Sequence, residues 1–231
     1  MTSDTGERPR LTPKGERTRA RIIDAAAGLI HECGVAGTTL EDIRASAEVS
    51  GSQLQHYFAD KDELVQAVIG YQAGMIVGNQ RQADLGDAGG LQAWRDMVIT
   101  TAKNAGGRGG CPLGSLGGQL AESDPQARVL IAAGFEQWSA AISDGLRALH
   151  ATGHLRADLD PDDFAVTLLA AVQGGLLLAQ VQRDTRPLET AVDTVLALAT
   201  SKDSGSAGSR ARTSSSRTYS HHEPGSGSSS E

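Results

Sequence analysis

Between residues 38 and 64 the apolar positions recur three and four residues apart, which is the spacing of one helix face. Leu40, Ile43 and Ala47 form the first set, and Leu54 and Phe58 form the second. A threonine precedes the first set and Ser50 precedes the second, and both residue types cap helix N-termini. The pattern predicts two short helices joined by a tight turn, the helix-turn-helix arrangement, whose second helix lies in the major groove of DNA.

Helical spacing continues along the rest of the chain. It predicts further helices over residues 14–33, 61–83, 91–105, 112–123, 125–152, 164–183 and 188–200. Gly34 is expected to end the first of them. Alanine and leucine are plentiful, β-branched runs are few and aromatic residues make up only 3% of the chain. We therefore expect an all-α fold.

Charge divides the chain into a basic beginning and an acidic remainder. The net charge is −7, yet six of the first 21 residues are basic and three are acidic. Residues 1–13 are expected to form a disordered basic arm, and the serine- and glycine-rich residues 202–231 a disordered tail. A locally basic arm attracts phosphate even on an acidic protein, because salt screens distant charges.

Composition also excludes several classes. No apolar run is long enough to span a membrane and the N-terminus lacks the apolar core of a signal peptide, so we expect a cytoplasmic protein without a membrane partner. Cys33 and Cys111 are too few for a disulfide framework or a zinc site, and we expect neither metal nor cofactor. No Ser-His-Asp, Cys-His or paired-carboxylate arrangement stands out, which argues against an enzyme.

One stretch of about fifty residues resembles the DNA-binding domain of TetR-family transcriptional regulators. The resemblance is carried by RIIDAA at 21–26, Gly34, Thr38, Thr39, Ile43, Ala47, Val49, Ser50, Leu54, HYF at 56–58 and KDEL at 61–64. It implies a helix-turn-helix DNA-binding domain over residues 14–60 and a larger helical ligand-binding and dimerisation domain over 61–201. The implied function is a homodimeric regulator, most naturally a repressor that binds a palindromic operator and is released by a small-molecule effector.

Candidate DNA-binding residues follow from the motif. They are Arg17, Thr38, Thr39, Ser50, Gly51, Ser52, Gln53, Gln55, His56, Tyr57 and Lys61. The second helix lacks Lys and Arg, so we expect Gln53, Gln55 and His56 to contact bases, since glutamine pairs well with adenine. The family usually has a tyrosine at the position of Gln55 and a lysine at that of Lys61; the latter implies a phosphate contact. Tyr57 could equally pack beneath the helix.

A ligand site is expected among the central helices of the second domain. The candidates are Trp94, Met97, Val98, Cys111, Leu113, Leu116, Phe135, Trp138 and Gln173. Most are large apolar residues, for which core packing is the alternative. Gln173 is polar within an apolar helix, so it is expected to bond either a ligand or a second subunit. Residues 110–116 resemble the branch of the family that answers lincomycin and flavonoids, which implies an aromatic or bulky apolar effector.

The last two helices are the expected dimer interface. The candidates are Phe164, Leu168, Ala171, Gly175, Leu178, Val192 and Val195. The helix over 164–183 is apolar almost all round, so we expect it to be covered on every side. Gly174 and Gly175 weaken a helix by about 1 kcal/mol each relative to alanine, which suits a close backbone approach or else permits a bend.

Two alternatives to a regulator remain open. An enzyme is one of them, although no catalytic arrangement favours it. The other is a small-molecule sensor or adaptor that has lost specific DNA binding, which the absence of basic residues from the second helix suggests. Salt-dependent, sequence-selective DNA binding distinguishes this sensor from the repressor.

Overall fold

The computed structural model describes residues 11–82, 85–86 and 89–200, and in that part of the chain every regular element is an α-helix. The helices are α1 (Pro13–Gly37), α2 (Leu40–Ser46), α3 (Gly51–Tyr57), α4 (Lys61–Gln82), α5 (Gly90–Asn104), α6 (Pro112–Leu120), α7 (Pro125–Ala151), α8 (Pro161–Gln182) and α9 (Arg186–Thr200). The all-α prediction is confirmed. The predicted tail over 202–231 and the first ten residues of the predicted arm lie outside the described residues.

The helix-turn-helix forms at the predicted place. Ile43 and Ala47 of the first apolar set are fully buried, and Leu54 and Phe58 of the second are buried too. Glu48 takes a φ of +51° in the turn between α2 and α3, an uncommon conformation for a residue other than glycine. The expected inward position of Leu40 is wrong, since this side chain is 36% exposed.

Helix α1 differs from its predicted form at the C-terminal end. Gly34 has φ +76° and ψ 167°, so it interrupts the helix as expected, but one further turn continues to Gly37. A side chain at Gly34 would come within 2.9 Å of the Gln119 side-chain oxygen on α6. The positive φ of this glycine and the close approach of α6 therefore explain the interruption together.

Helix α4 joins the N-terminal helices to the rest of the molecule. It packs against α1, α6 and α7, while α8 packs between α7 and α9. Leu64, Val68 and Ile69 supply the buried face of its first half, and Val77 continues that face further along. Helix α4 therefore contacts both α1, which precedes the helix-turn-helix, and α7 in the larger helical part.

Within one protomer the apolar helix α8 is covered on only part of its surface. Coverage on every side includes a second subunit and stays a prediction. Leu168 and Val172 are buried, but Val166 is 60% exposed and Val181 is 73% exposed. By length and a mean hydropathy of 1.8 alone, α8 qualifies as a helix that could cross a membrane. Core helices of water-soluble proteins have the same length and composition, and α8 packs against α7 and α9.

Candidate nucleic-acid interface and ligand cavity

Helix α3 presents a polar face to solvent. Ser52, Gln53, Gln55 and His56 are exposed on it, while Leu54 points into the core. Ser50 caps the helix, because its side-chain oxygen accepts a hydrogen bond of 3.1 Å from the backbone N–H of Gln53. The arrangement suits a short helix that enters a groove with its polar side outward.

Gln53 has a structural role that the sequence analysis did not anticipate. Its Oε1 accepts a 2.9 Å hydrogen bond from the Ser50 backbone N–H, which completes a capping box. The side chain is therefore held back along the helix start. Gln55 is also exposed and takes no part in the capping box. It is therefore the glutamine better positioned to contact a base.

The structure corrects the expectation for Thr38. Its side chain is only 1% exposed, and its hydroxyl donates a 2.8 Å hydrogen bond to the carbonyl oxygen of Gly34. Thr38 thus closes the end of α1 and does not face solvent. Thr39 is exposed, but its hydroxyl donates to Asp42 at 2.6 Å within the capping box of α2.

Lys61 connects the start of α4 to the end of α1. Its Nζ donates a 2.6 Å hydrogen bond to the carbonyl oxygen of Val35. An ammonium group has three donors, so this bond leaves others for a phosphate. Arg17 is exposed on α1, and Tyr57 is half-buried with its ring 5.0 Å from that of His56, centroid to centroid.

A cavity of about 600 Å³ lies among α4, α5, α7, α8 and the loop before α6. It is lined by Ile76, Asn79, Gln80, Gln82, Ala93, Met97, Val98, Thr101, Ala102, Ala105, Gly107, Arg108, Gly110, Cys111, Pro112, Trp138, Val172, Leu176 and Ala179. Met97, Val98, Cys111 and Trp138 are among the predicted ligand residues. A pocket of this size accommodates a small organic molecule.

The other five predicted ligand residues are not part of this wall. Trp94 and Leu113 are fully buried in the core, and Leu116 lies in a separate small pocket beside His31. Phe135 stacks on Trp138 with ring centroids 6.4 Å apart. Gln173 lies behind the wall, where its side-chain oxygen closely approaches Gly114 of α6.

Polar groups of the cavity wall were largely missed from sequence. The Trp94 indole N–H donates to Gln80 Oε1, which leaves the Gln80 amide nitrogen as a further donor. Gln80 follows Ala73 and Val77 on the buried face of α4, so it shows the same signal that singled out Gln173. Arg108 lies in a glycine-rich loop, where residue spacing does not predict which way a side chain points.

Two buried groups determine the chemistry of the wall. Trp138 is 5% exposed, and its indole N–H is buried without a hydrogen-bond partner among the described residues. Burial raises the pKa of the Cys111 thiol, even though the Gly114 N–H contacts its sulfur at 3.3 Å. Cys111 is therefore a neutral thiol near pH 7 and a poor nucleophile.

The predicted dimer residues fall into two groups. Phe164, Leu168, Gly175 and Val192 are buried within the protomer, which corrects the expectation that they face a second subunit. Gly175 accommodates α9, since a Cβ there would lie 2.7 Å from the Cα of Leu188.

The second group lies at the surface. Ala171, Leu178 and Val195 line an open groove between α8 and α9. Beside it Leu177 and Val181 are 60% and 73% exposed. The neighbouring Gly174 has open space where a Cβ would lie. The outer side of α8 is thus an apolar surface with a small residue near its middle.

Comparisons with known proteins agree with this arrangement. The family of bacterial regulatory proteins of the tetR type matches residues 22–68, which include the helix-turn-helix. The tetracyclin repressor-like C-terminal domain matches residues 89–195, which include α5 to α8 and most of α9. The two matches occur in the order expected for a regulator of this type.

Relatives of similar length support the assignment. The transcriptional repressor DhaR of Mycobacterium sp. strain GP1 is 25% identical over 74% of this chain and 86% of its own. The transcriptional regulator AcuR of Cereibacter sphaeroides is also 25% identical, over 79% of this chain and 85% of its own. A regulatory protein TetR from Rhodobacter sphaeroides has the same fold, with a TM-score of 0.72, 24% identity and coverage of 79% and 98%.

These matches narrow the interpretation in two ways. They do not support the lincomycin- and flavonoid-responsive branch suggested by residues 110–116, so that resemblance identifies no effector. The matched families and relatives are regulators and not enzymes. The chain belongs to the TetR family of DNA-binding transcriptional regulators.

Proposed function

We propose that the protein is a ligand-responsive homodimeric repressor that binds a palindromic operator in the cytoplasm. The observation that carries the proposal is the presence in one chain of a capped, outward-facing α3 and a cavity of about 600 Å³ walled in part by α4. In this proposal residues 14–60 bind DNA, and residues 61–201 bind the effector and a second subunit. The name of DhaR, a repressor, favours repression over activation.

On DNA, α3 lies in the major groove and Gln55 and His56 contact base edges. Their exposure on the polar face of α3 supports this assignment. Arg17, Tyr57 and Lys61 contact phosphates, together with the exposed start of α3 at Ser50, Gly51 and Ser52. Phosphate contacts orient the helix, and base contacts determine the sequence that is bound.

The second subunit covers the outer side of α8. The support is the exposed apolar surface at Leu177, Leu178 and Val181, with Gly174 open for close approach. Helices α8 and α9 of two subunits then form a four-helix bundle about a two-fold axis. Two heads related by that axis read half-sites about 34–36 Å apart, or a multiple of that distance.

The effector acts through α6. Cys111 and Pro112 at the start of this helix line the cavity, while Gln119 near its end accepts a 2.8 Å hydrogen bond from the Val35 N–H. Val35 also accepts the Lys61 hydrogen bond, so α6 contacts the junction between α1 and α4. A ligand that moves α6 changes the positions of the heads, provided it binds the two states with different affinities.

A selection from genomic fragments followed by gel shifts tests the DNA-binding part. We expect a specific, salt-dependent complex with an inverted repeat, and a dimer by light scattering. Gln55→Ala should reduce the preference for particular bases, while Arg17→Ala should weaken binding to all DNA sequences alike. Arg128→Ala, which alters an exposed arginine on α7, is the control that should leave binding unchanged.

The absence of basic residues from α3 favours one competing function, a sensor that has lost its operator. If selection recovers no preferred fragment while small molecules still bind the cavity, the sensor replaces the repressor. A specific complex with two heads per inverted repeat excludes it.

A further inference from the structure

Over the described residues, the cavity wall combines an apolar lining with hydrogen-bond donors and has no acidic side chain. Ile76, Met97, Val98 and Leu176 provide apolar surface. Among the described residues that line the cavity, Arg108 is the charged one and none is acidic. Such a wall favours a ligand that is mostly apolar and carries oxygen acceptors.

Arg108 is available to a ligand. Arg95 and Lys103 of the neighbouring α5 are paired with Asp193 and Glu189 of α9. Arg108 takes part in none of the ion pairs between described residues, and its side chain is exposed. Its guanidinium can therefore pair with an anion at the edge of the cavity, with two parallel hydrogen bonds to a carboxylate.

The loop that carries Arg108 is held in place. Gly107 has a φ of +66°, and a Cβ there would lie 2.9 Å from the carbonyl oxygen of Ala179 on α8. The Gly107 N–H donates to Ala102 at 3.0 Å, and the Arg108 N–H donates to Ala105 at 3.1 Å. The backbone of Arg108 is thus fixed between α5 and α8, which limits where its side chain can reach.

Trp138 is an independent sign that an acceptor belongs here. Its indole nitrogen can only donate a hydrogen bond, and it is buried without a partner among the described residues, while the Trp138 side chain lines the cavity. A buried donor without a partner is costly, and a ligand oxygen would remove that cost once the ring turns its N–H toward the cavity. Gln80 Nε2 is a second donor, because the Trp94 N–H already occupies the Gln80 oxygen and so fixes which end of the amide is left.

We propose that the effector is an apolar carboxylic acid whose carboxylate pairs with Arg108 and whose apolar body fills the cavity against α4, α5 and α8. This inference rests on the proposed effector site and adds the chemical class of the ligand. Trp138 donates its N–H to a ligand oxygen, so it is a specificity residue as well as part of the wall. Neutral molecules of the same shape bind more weakly.

A displacement assay with matched ligands tests the proposal. The fluorescent dye 8-anilinonaphthalene-1-sulfonate is bound to the full chain and displaced by 1-naphthaleneacetate or by its neutral isostere 1-naphthaleneacetamide. We expect the acid to displace at lower concentration. Because the dye's own sulfonate can pair with Arg108, the dye is titrated on each variant and the displacing concentrations are converted to dissociation constants. Arg108→Gln should raise the dissociation constant of the acid about three- to tenfold, as for loss of a charge-assisted bond at a solvent-accessible site, and leave that of the amide unchanged.

Three variants make the assay decisive. Arg128→Gln removes an exposed arginine outside the cavity lining and should behave as wild type. Trp138→Phe keeps the ring but removes the N–H, and should weaken the acid. Thr101→Trp fills the cavity from the exposed side of α5 and should abolish displaceable dye binding.

Each failure has a separate meaning. If the acid and the amide displace the dye equally, or if Arg108→Gln and Arg128→Gln have equal effects, the proposal that the ligand is a carboxylic acid is wrong. The proposed effector site is not contradicted by that result. Dye binding that is absent, or that Thr101→Trp and both naphthalene compounds leave unchanged, overturns the effector site itself and the acid with it.

Discussion

Gln53 and Gln55 are neighbours in the same short helix but have different partners. Gln53 bonds the Ser50 N–H and stabilises the start of α3, whereas Gln55 is exposed beyond the cap. We expect Gln53→Ala to lower the free energy of unfolding by about 0.5–1 kcal/mol, as loss of a capping interaction does. Urea denaturation measures this change.

The matched variant is Gln55→Ala, which should alter stability by less than about 0.5 kcal/mol because its side chain is exposed and outside the cap. A reversed order, with Gln55 the more destabilising of the two, would contradict the capping role. In competition gel shifts Gln53→Ala should weaken binding to all DNA sequences similarly, since a frayed helix start affects every complex.

The two cysteines differ in reactivity for a physical reason. Cys33 is exposed, while Cys111 is buried at the cavity wall with its pKa raised by that burial. We expect iodoacetamide at pH 7.5 to alkylate Cys33 first and Cys111 only slowly, because the thiolate is the reactive form. Mass spectrometry of peptides at timed intervals measures both.

A ligand in the cavity should slow the Cys111 reaction further and leave Cys33 unchanged. Cys33→Ser isolates the slow reaction. Equal alkylation rates at the two cysteines in the folded protein would contradict this prediction, since they would show that burial lowers neither the accessibility nor the reactivity of the Cys111 thiol.

Single residues also show where sequence reasoning reaches its limit. Spacing identified Ile43 and Leu54 as core positions, because their burial follows from helical period alone. It could not reveal that Thr38 closes α1 or that Lys61 bonds Val35, since both contacts depend on where one helix ends beside another. Arg108 was missed because a glycine-rich loop has no period.

At the scale of elements, the two adjacent glycines of α8 face opposite environments. A Cβ at Gly175 would meet Leu188 of α9 at 2.7 Å, whereas Gly174 has open space. We expect Gly175→Ala to lower the free energy of unfolding by about 1–3 kcal/mol, since overpacking separates α8 from α9. Denaturation followed by circular dichroism measures it.

Gly174→Ala is the matched control within the protomer. It should raise helix stability by about 1 kcal/mol, because alanine is the better helix former. If a second subunit approaches closely at this position, the same change weakens the dimer, which sedimentation at several concentrations detects. A loss of stability that does not depend on protein concentration would place the close contact at Gly174 within the protomer instead.

Helix boundaries were predictable where local chemistry sets them. Pro112 and Pro125 each stand at the first position of a helix, as their fixed φ favours, and the predicted helices begin there. Helix α8 begins at Pro161, three residues before its predicted start at 164. The extra turn of α1 beyond Gly34 was not predictable, because it depends on Gln119 from a distant part of the chain. Which residues of α8 are exposed was not predictable for a similar reason: composition alone does not show which faces the protomer covers.

At the scale of the whole molecule, the cavity and the DNA-binding helices meet through Gln119. The hydrogen bond from the Val35 N–H to Gln119 is 2.8 Å long, and α6 reaches from there to the cavity. A second amide contact, from Gln66 of α4 to Gln126 of α7 at 3.1 Å, joins other helices without touching Val35. The two contacts therefore provide a test pair and its control.

We expect the Gln119→Leu variant to bind the selected operator alone and the ligand alone as the wild type does. The ligand should, however, change its affinity for the operator less than in the wild type. The coupling free energy should fall by about 0.5–2 kcal/mol, the range for residues on a coupling route. The measurement is a cycle of four dissociation constants: operator with and without ligand, and ligand with and without operator. Coupling is reciprocal, so both halves must change by the same factor. Gln126→Leu should leave the cycle intact, and equal losses in the two variants would mean that the Val35 contact has no special part in the response.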